Sequence, residues 1–273
     1  MEKLARRAQI YYNMSAKEKQ VRSIHMITVK EHSPYELMLD MHMHTVASGH
    51  AYGTIREMAQ AASAKGLSYI GISEHGPGIP GTCDPIYFTN LKVVPRTLYG
   101  VKLLHGCETN VLNDGTVSLE QERLEKLDYG IAGIHKQCYR DEGREKNTDN
   151  VISCMKNSKI FMISHPDDDH MPLDYERLVP ASGKYHTALE LNNSSLLKPD
   201  KRLNCVENYK HMLRLCEQYR IPIVVNSDAH DPSYVGRFDE AIALLQELKF
   251  DPELILNTSV ERFLKFIGRR EDK

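Results

Sequence analysis

The sequence has no tryptophan, only six phenylalanines, and six cysteines that form no C-x-x-C pair. Scattered cysteines argue against the disulfide framework of a small secreted domain and against paired thiolates of a structural zinc finger. No apolar run approaches the ~18 residues that a membrane helix needs, and the first residues lack the apolar core of a secretory signal. We therefore expect a cytoplasmic protein without a membrane span.

A strong charge of one sign is also missing from this chain. Lys and Arg together number 35 against 37 Asp and Glu, which gives a net charge of -2 with neutral histidines. This balance argues against a broad basic surface for nucleic acid. The nucleophile elbow G-x-S-x-G, the phosphate loop G-x-x-x-x-G-K-[ST] and the metalloprotease motif H-E-x-x-H are absent, and the one G-x-G-x-x-G match, at 76–81, contains two prolines and is not a convincing dinucleotide fingerprint.

What remains is a chain of 273 residues, 41% of them hydrophobic, which is enough for one large globular domain. Residues 1–34 are charged and of mixed pattern, and we expect them to form an N-terminal extension, largely helical. Residues 35–273 form the domain proper. Its apolar segments predict seven strands at 35–39, 67–73, 101–107, 127–134, 160–164, 187–191 and 221–227.

Helical windows separate these strands, at 54–65, 118–126, 147–157, 203–219 and 237–248, with a last helix at 258–267. Capping boxes are expected at Thr54 and at Ser118. Apolar strands that alternate with helices indicate a parallel sheet covered by helices, and seven such units favour a closed barrel. The predicted fold class is α/β, a distorted (β/α)7 barrel similar to a TIM barrel.

The chain contains 13 histidines, and many of them follow the predicted strands. His42 and His44 are two residues apart, so an extended backbone turns both imidazoles to the same face. Active sites of such barrels lie at the carboxyl ends of the strands. The side chains expected to converge there on bound metal are His42, His44, His50, His75, Glu108, His135, His165, Asp228 and His230.

Nine donors are more than one ion needs, because zinc usually takes four. They suit two or three divalent ions, especially if a carboxylate bridges two of them. Closely spaced ions produce hydroxide at neutral pH and bind the oxygens of a phosphoryl group during its transfer.

These motifs resemble those of the PHP (polymerase and histidinol phosphatase) family, most closely its small stand-alone phosphatases, the YcdX-like branch. The resemblance runs from about residue 35 to 267. It rests on Asp40-x-His42-x-His44-Thr45, His50-Ala51-Tyr52, Glu74-His75-Gly76-Pro77, Gly106-Cys107-Glu108-Thr109-Asn110, Ala132-Gly133-Ile134-His135, Ile163-Ser164-His165-Pro166, Leu189-Glu190-Leu191-Asn192-Asn193 and Ser227-Asp228-Ala229-His230.

The resemblance implies three metal ions, usually zinc, with manganese or iron in some relatives. Carried over by position, one ion is held by His42, His44 and Asp228. Glu108 bridges this ion to a second, held by His135 and His165, and a third is held by His50, His75 and His230. Glu74 stands where an aspartate is common, and we expect it to lie behind the ligands.

The expected reaction is hydrolysis of a phosphomonoester by metal-activated hydroxide, with Glu108, His135 and Asp228 as catalytic residues. Asp228 has a second expected role as a proton shuttle. Candidate substrate contacts are Arg96, Lys136, Asn192 and Asn193, and for each a purely structural role stays open. If the acidic run at 167–169 lines the pocket, it should disfavour substrates with charge beyond the phosphate.

Three alternatives stay open at this stage: a 3'-5' exonuclease or other phosphodiesterase, a histidinol phosphatase, and a non-catalytic metal-binding module. The expected partner is a small phosphorylated substrate rather than nucleic acid or a membrane. The motifs do not specify the substrate, the native metal or the oligomeric state. We treat His25, His32, His105, His170, His186 and His211 as residues outside the site.

Overall fold

Seven parallel strands and one short antiparallel strand form a single sheet, as the sequence predicted for the parallel ones. Neighbouring strands along the sheet are β1-β2-β4-β5-β6-β7-β8, and β3 pairs antiparallel with β4. The strands are β1 Leu39–Asp40, β2 Tyr69–His75, β3 Thr97–Leu98, β4 Val101–Asn110, β5 Tyr129–Gly133, β6 Ile160–Ile163, β7 Ala188–Asn192 and β8 Ile223–Asn226.

The structure is a computed structural model that describes residues 34–268. All elements discussed below belong to one unit that begins at Leu37. The helical extension predicted for residues 1–34, with His25 and His32, lies outside the described residues apart from its last position. The domain boundary there stays a prediction.

Helices follow the strands and cover the sheet. They are α1 Ile55–Ala64, α2 Ile86–Asn90, α3 Gln121–Leu124, α4 Arg144–Met155, α5 Tyr175–Tyr185, α6 Asn193–Leu196, α7 Cys205–Tyr219, α8 Asp239–Leu248 and α9 Val260–Gly268, with short 3-10 turns between several of them. Within residues 34–268, none of these helices combines the length and the apolar character that crossing a bilayer requires.

Helix starts show where local sequence rules succeed and where they fail. The capping box at Thr54 is confirmed, because its hydroxyl accepts from the Glu57 amide and the Glu57 carboxylate accepts from the Thr54 amide. The one predicted at Ser118 is wrong. The Ser118 hydroxyl instead bonds the backbone and side-chain amides of Asn110, at 3.1 and 2.9 Å, and α3 begins only at Gln121.

Helix α5 was not predicted. Pro180 lies inside it and Gly183 near its end, and both residues argue against a helix in a sequence pattern. Its start is nevertheless capped, since the Asp174 carboxylate accepts from the Arg177 amide. Burial of Leu178 and Val179 against the sheet outweighs the proline.

Side-chain amides complete the barrel where β1 and β8 meet. Among residues 34–268, a single backbone bridge, between Met43 and Ala229, joins this edge. The Met41 amide donates to the Asn226 side-chain oxygen at 2.8 Å, and the Asn257 side chain donates to the Leu39 carbonyl at 3.0 Å. The sheet is thus nearly closed, and asparagines replace the missing part of the ladder.

Aromatic side chains fill the barrel near the amino ends of its strands. Tyr129 is 1% exposed and fits because Gly71 and Gly106 lack a Cβ. A Cβ on Gly71 would lie 1.9 Å from the tyrosine oxygen, and one on Gly106 would lie 2.5 Å from its ring. The ring centroid of Phe161 lies 5.2 Å from that of Tyr129. This packing leaves the carboxyl ends of the strands for polar residues.

Candidate metal centre

Polar side chains converge at the carboxyl ends of the strands, and all nine predicted ligands are among them. Glu108, on β4, lies at the centre. Its Oε2 is 2.9 Å from His75 Nδ1 and 3.3 Å from His42 Nε2, and its Oε1 is 2.8 Å from His165 Nε2 and 3.4 Å from His135 Nε2. A fully buried carboxylate therefore touches histidines from four different segments.

The remaining ligands extend this cluster. Asp228 Oδ1 lies 3.3 Å from His44 Nε2 and 3.5 Å from His230 Nδ1. The imidazole of His50 lies against those of His75 and His230, with ring centroids 4.9 and 5.1 Å apart. Donor atoms close enough to share one ion occur in three groups: His44, His75 and His230; His42, His44 and Glu108; His75, Glu108 and His135.

The tautomers of His42 and His44 follow from their hydrogen bonds. His42 Nδ1 donates to Glu190 Oε1 at 2.8 Å. The Ser48 hydroxyl gives its only proton to Glu74, so it must accept from His44 Nδ1 at 3.1 Å. In the neutral form of each imidazole the Nε2 atom therefore carries the lone pair, and the two Nε2 atoms face each other at 3.1 Å. Two facing lone pairs are stable only with a proton or a metal cation between them.

Two further histidines are oriented in the same way. The Asn110 side-chain nitrogen donates to the Pro77 carbonyl, so its oxygen accepts from His135 Nδ1 at 2.8 Å. His230 Nδ1 donates to the backbone carbonyl of Asp228 at 3.0 Å. The Nε2 atoms of both are thereby left unprotonated. An imidazole fixed by a hydrogen bond at its other nitrogen is the usual arrangement around a bound metal.

Several buried polar atoms of the cluster have no hydrogen-bond partner among the described residues. They include Asp228 Oδ1, together with His75 Nδ1 and Glu108 Oε2, which lie 2.9 Å apart but are not aligned for a hydrogen bond. Leaving such atoms unpaired costs about 1–3 kcal/mol each, and more for a charged group. Nitrogen and carboxylate oxygen are the donors that divalent ions such as zinc bind. The residues present therefore fit a divalent metal centre.

The electrostatics of the cluster also favour a cation. Burial raises the pKa of Glu108, but His42 and His135 outweigh burial and hold that pKa well below its usual value. Burial lowers the pKa of His42, yet the carboxylates of Glu190, Glu108 and Asp228 together raise it well above its usual value. Glu108 is thus ionised and attracts positive charge, which a metal ion supplies by displacing protons from the histidines around it.

Two ligands have an unusual backbone conformation. His165 has φ 32° and Asp228 has φ 51°, both in a region that residues other than glycine seldom adopt. Strain of this kind persists only where the surroundings impose it, and it is concentrated at functional sites.

Glu190 is the supporting residue that sequence reasoning missed. It is fully buried, and besides His42 it accepts from the His165 backbone amide at 2.7 Å, the Asn226 side chain at 2.9 Å and the Asn192 side chain at 3.0 Å. One signal pointed to it: a carboxylate in the apolar strand β7, two residues before Asn192 and hence on the same face. Glu74 lies behind the ligands as expected, where it accepts from the Thr45 amide at 2.9 Å.

The four candidate substrate residues have different surroundings. Arg96 pairs with Asp128, just before the amino end of β5, and the structure does not bring it to the cluster. Asn192 is buried and donates to Glu190 and to Asp228 Oδ2. The Asn193 side-chain oxygen accepts from the Ala241 backbone amide. Only Lys136, directly after His135, lines the cavity beside the cluster.

Two residues of the acidic run at 167–169, Asp167 and Asp168, line the cavity beside the cluster. Asp167 is buried and forms two 2.8 Å bonds with the Arg202 guanidinium, which offsets its charge. One oxygen of Asp168 accepts from the backbone amides of His170 and Leu203, at 3.1 and 3.0 Å, and Asp168 keeps its charge. The expected effect on anionic substrates is therefore limited, within the cavity, to Asp168.

Fold and site together define a parallel α/β barrel that binds divalent metal at the carboxyl ends of its strands. A family model described as the PHP domain matches residues 40–194. A "Probable phosphatase" of Acetivibrio thermocellus is 39% identical over 239 residues, 87% of this chain and 98% of that protein. Another from Caldicellulosiruptor saccharolyticus is 40% identical over 233 residues, 85% of this chain and 96% of that protein. The chain belongs to the PHP family.

Solved structures agree on the fold. A crystal structure from Listeria monocytogenes aligns with TM-score 0.57 and 18% identity over 74% of this chain and 98% of its own. Histidinol phosphate phosphatase from Lactococcus lactis, crystallised with Zn, L-histidinol and phosphate, aligns with TM-score 0.52 and 16% identity over 78% of this chain and 94% of its own. Both likenesses confirm the distorted barrel.

Proposed function

We propose that this chain hydrolyses a phosphomonoester at a cluster of three divalent metal ions, most simply zinc. The proposal rests on the convergence of buried nitrogen and oxygen atoms that can bind metal and have no hydrogen bond among the described residues. They include Glu108 Oε2, Asp228 Oδ1 and His75 Nδ1. Membership of the PHP family and relatives named probable phosphatases support the activity class. The chain is accordingly a metal-dependent hydrolase of phosphate esters.

The three ions are assigned to three sets of residues. The first is held by His42, His44 and Asp228, the second by His135 and His165, and Glu108 bridges the two. The third is held by His50, His75 and His230. Contacts of 3.3 Å between His44 and Asp228 and 2.8 Å between His165 and Glu108 support the first two sets, and the ring contacts of His50 support the third.

Divalent ions at this site supply Lewis acidity: they neutralise phosphate oxygens and lower the pKa of water, so that hydroxide is available near neutral pH. The protein's part is to hold and orient. Asn192 donates to Asp228 Oδ2 at 3.2 Å and so orients this carboxylate, whose Oδ1 faces His44 in the first set. Asp228 would take up the proton that the attacking water loses. Attack at phosphorus opposite the ester oxygen then breaks the P–O bond, and the proton taken from the water passes, directly or through solvent, to the leaving oxygen, so that the alcohol is released.

A direct test compares zinc-loaded protein on p-nitrophenyl phosphate, bis(p-nitrophenyl) phosphate and single-stranded DNA, with histidinol phosphate in the same panel. We expect turnover of monoesters. His135→Ala should lower kcat by about 100-fold or more, since loss of even a residue behind the ligands costs 10–100-fold. His211→Ala, at an exposed histidine paired with Glu176, is the matched control and should retain activity. Cleavage of DNA or of the diester with none of the monoesters would refute the proposal.

A further inference from the structure

A cavity of about 860 Å³ lies beside the metal centre and shares His135 and His165 with it. This volume is within the range of pockets that bind small molecules. A phosphate held by the metal ligands would therefore have its alcohol portion, the leaving group, next to this space. The walls of the cavity then decide which alcohols fit.

One part of the wall is apolar. Ile134, Val151, Met171 and Leu173 line it, and Leu173 is buried. Such a surface suits the carbon skeleton of a leaving group but does not fix its orientation, because burial of apolar area is not directional.

The other part of the wall carries positive charge. Lys136, Lys198 and Lys201 are exposed and line the cavity together with Arg202. Within residues 34–268, none of the three lysines lies within 4.0 Å of a carboxylate oxygen in an ion pair. Lys198 contacts only a neutral partner, the Ser194 hydroxyl at 2.9 Å, which leaves its charge uncompensated.

Acidic residues of the same wall do not cancel these lysines. Asp167 is neutralised by Arg202, and Asp168 is hydrogen-bonded to backbone amides and to the His170 ring. Asp200 is exposed, and it is the one acid of the wall without such a partner among the described residues. Hydrogen bonds to neutral amides do not remove the charge of Asp168, so three lysines face two carboxylates, Asp168 and Asp200, and this side of the cavity keeps a surplus of one positive charge.

The part of the cavity wall that carries Lys198 and Lys201, called the rim below, is held in a fixed position. Arg202 donates to both oxygens of buried Asp167 and to the His165 carbonyl at 2.9 Å. This anchors the segment carrying Lys198 and Lys201, which form or flank the short turn Pro199–Lys201, directly to a metal ligand. The distance between rim and metal centre is thereby fixed, as selection of a substrate with two charged groups requires.

We infer that the enzyme selects phosphomonoesters whose leaving group carries a second anionic group, a carboxylate or a phosphate, which Lys198 and Lys201 bind while an apolar portion lies against the opposite wall. The inference rests on the proposed function, because it assumes that the ester phosphate is held at the metal centre. It makes the two lysines specificity-determining residues of the pocket.

The test measures equilibrium binding to the zinc-loaded full chain by calorimetry. The probes are the 3- and 4-carboxyphenylphosphonates and the carbamoyl compounds of the same shape without the second charge. We expect wild-type protein to bind at least one carboxylate about ten-fold more tightly than its carbamoyl partner, with a preference that shrinks as salt increases. In the double variant Lys198→Gln/Lys201→Gln, the ratio of the affinity for the carboxylate to that for its carbamoyl partner should approach one.

The matched control is Lys92→Gln/Lys102→Gln, which removes the same charge from exposed lysines outside the cavity and should keep the wild-type ratio. A wild-type ratio near one for both isomers, or a ratio unchanged in the Lys198/Lys201 variant, overturns the inference. Phosphatase turnover, measured in parallel, separates the two proposals. Turnover with a ratio near one refutes only the anion site, whereas an intact ratio without monoester turnover refutes only the proposed reaction.

Discussion

Replacement of Glu190 by glutamine tests how much the layer behind the ligands contributes. Glu190 accepts two hydrogen bonds at each oxygen: from His42 Nδ1 and Asn226 at Oε1, and from the His165 amide and Asn192 at Oε2. A glutamine has one NH2 group, so either orientation points a donor at donors.

Each orientation of the glutamine harms the metal site in a predictable way. With its NH2 toward His42, that imidazole must accept at Nδ1, so its Nε2 becomes protonated and can no longer bind metal. If the glutamine NH2 instead points toward the His165 backbone amide and the Asn192 side chain, the His165 amide loses its acceptor. Loss of a residue that hydrogen-bonds to a metal ligand typically lowers metal affinity 10–100-fold, or by about 1.4–2.7 kcal/mol.

The assay is competition between Glu190→Gln protein and a zinc chelator, with the free energy of unfolding of the metal-free form measured by urea in parallel. The control is Glu57→Gln, which removes an exposed carboxylate from the capping box of α1 and should lower stability slightly without changing zinc affinity. If Glu190→Gln folds normally and binds zinc as tightly as wild type, the tautomer argument for His42 is wrong.

Two further predictions concern residues outside the predicted set of ligands. Burial, with help from the charge of Arg96, lowers the pKa of His105 from an ordinary value of 6.5 to about 4. As the pH drops, the unfolded chain is therefore protonated at this histidine before the folded chain is, and the free energy of unfolding falls between pH 6.5 and pH 4. His105→Phe should therefore remove about 1–2 kcal/mol of acid destabilisation, after allowance for solvent screening. Urea unfolding at pH 7 and pH 4.5 would show this, and an unchanged difference between the two pH values would contradict the buried neutral state. Arg202→Met leaves the Asp167 carboxylate buried without its cation and should cost about 3–5 kcal/mol, whereas adding Asp167→Asn should recover part of that loss in a double-mutant cycle. Additive single costs would show that the pair is not coupled.

The barrel followed from sequence because its signals are local and repeated. Each parallel strand is a short apolar run that ends in a polar residue, so their number and the end at which the polar residues collect could be predicted. Strand β1 was predicted over 35–39 but covers only Leu39–Asp40. Before it, the Met38 amide donates to the Asn257 carbonyl at 2.8 Å, and after it the chain bonds Asn226 and Ala229 instead of continuing the ladder. Partners of that kind lie almost two hundred residues away and leave no local pattern.

The same distinction separates the ligands from the residues that support them. Histidine and aspartate at a strand end are rare enough in type and position for His42 or Asp228 to be recognisable. Asn110 and Ser48 are common polar residues whose role exists only because folding brings them to His135 and His44. Each fixes one nitrogen of an imidazole and thereby leaves the other free to bind metal. The sequence thus shows which atoms are available to the metal, whereas their protonation depends on contacts that exist only in the folded barrel.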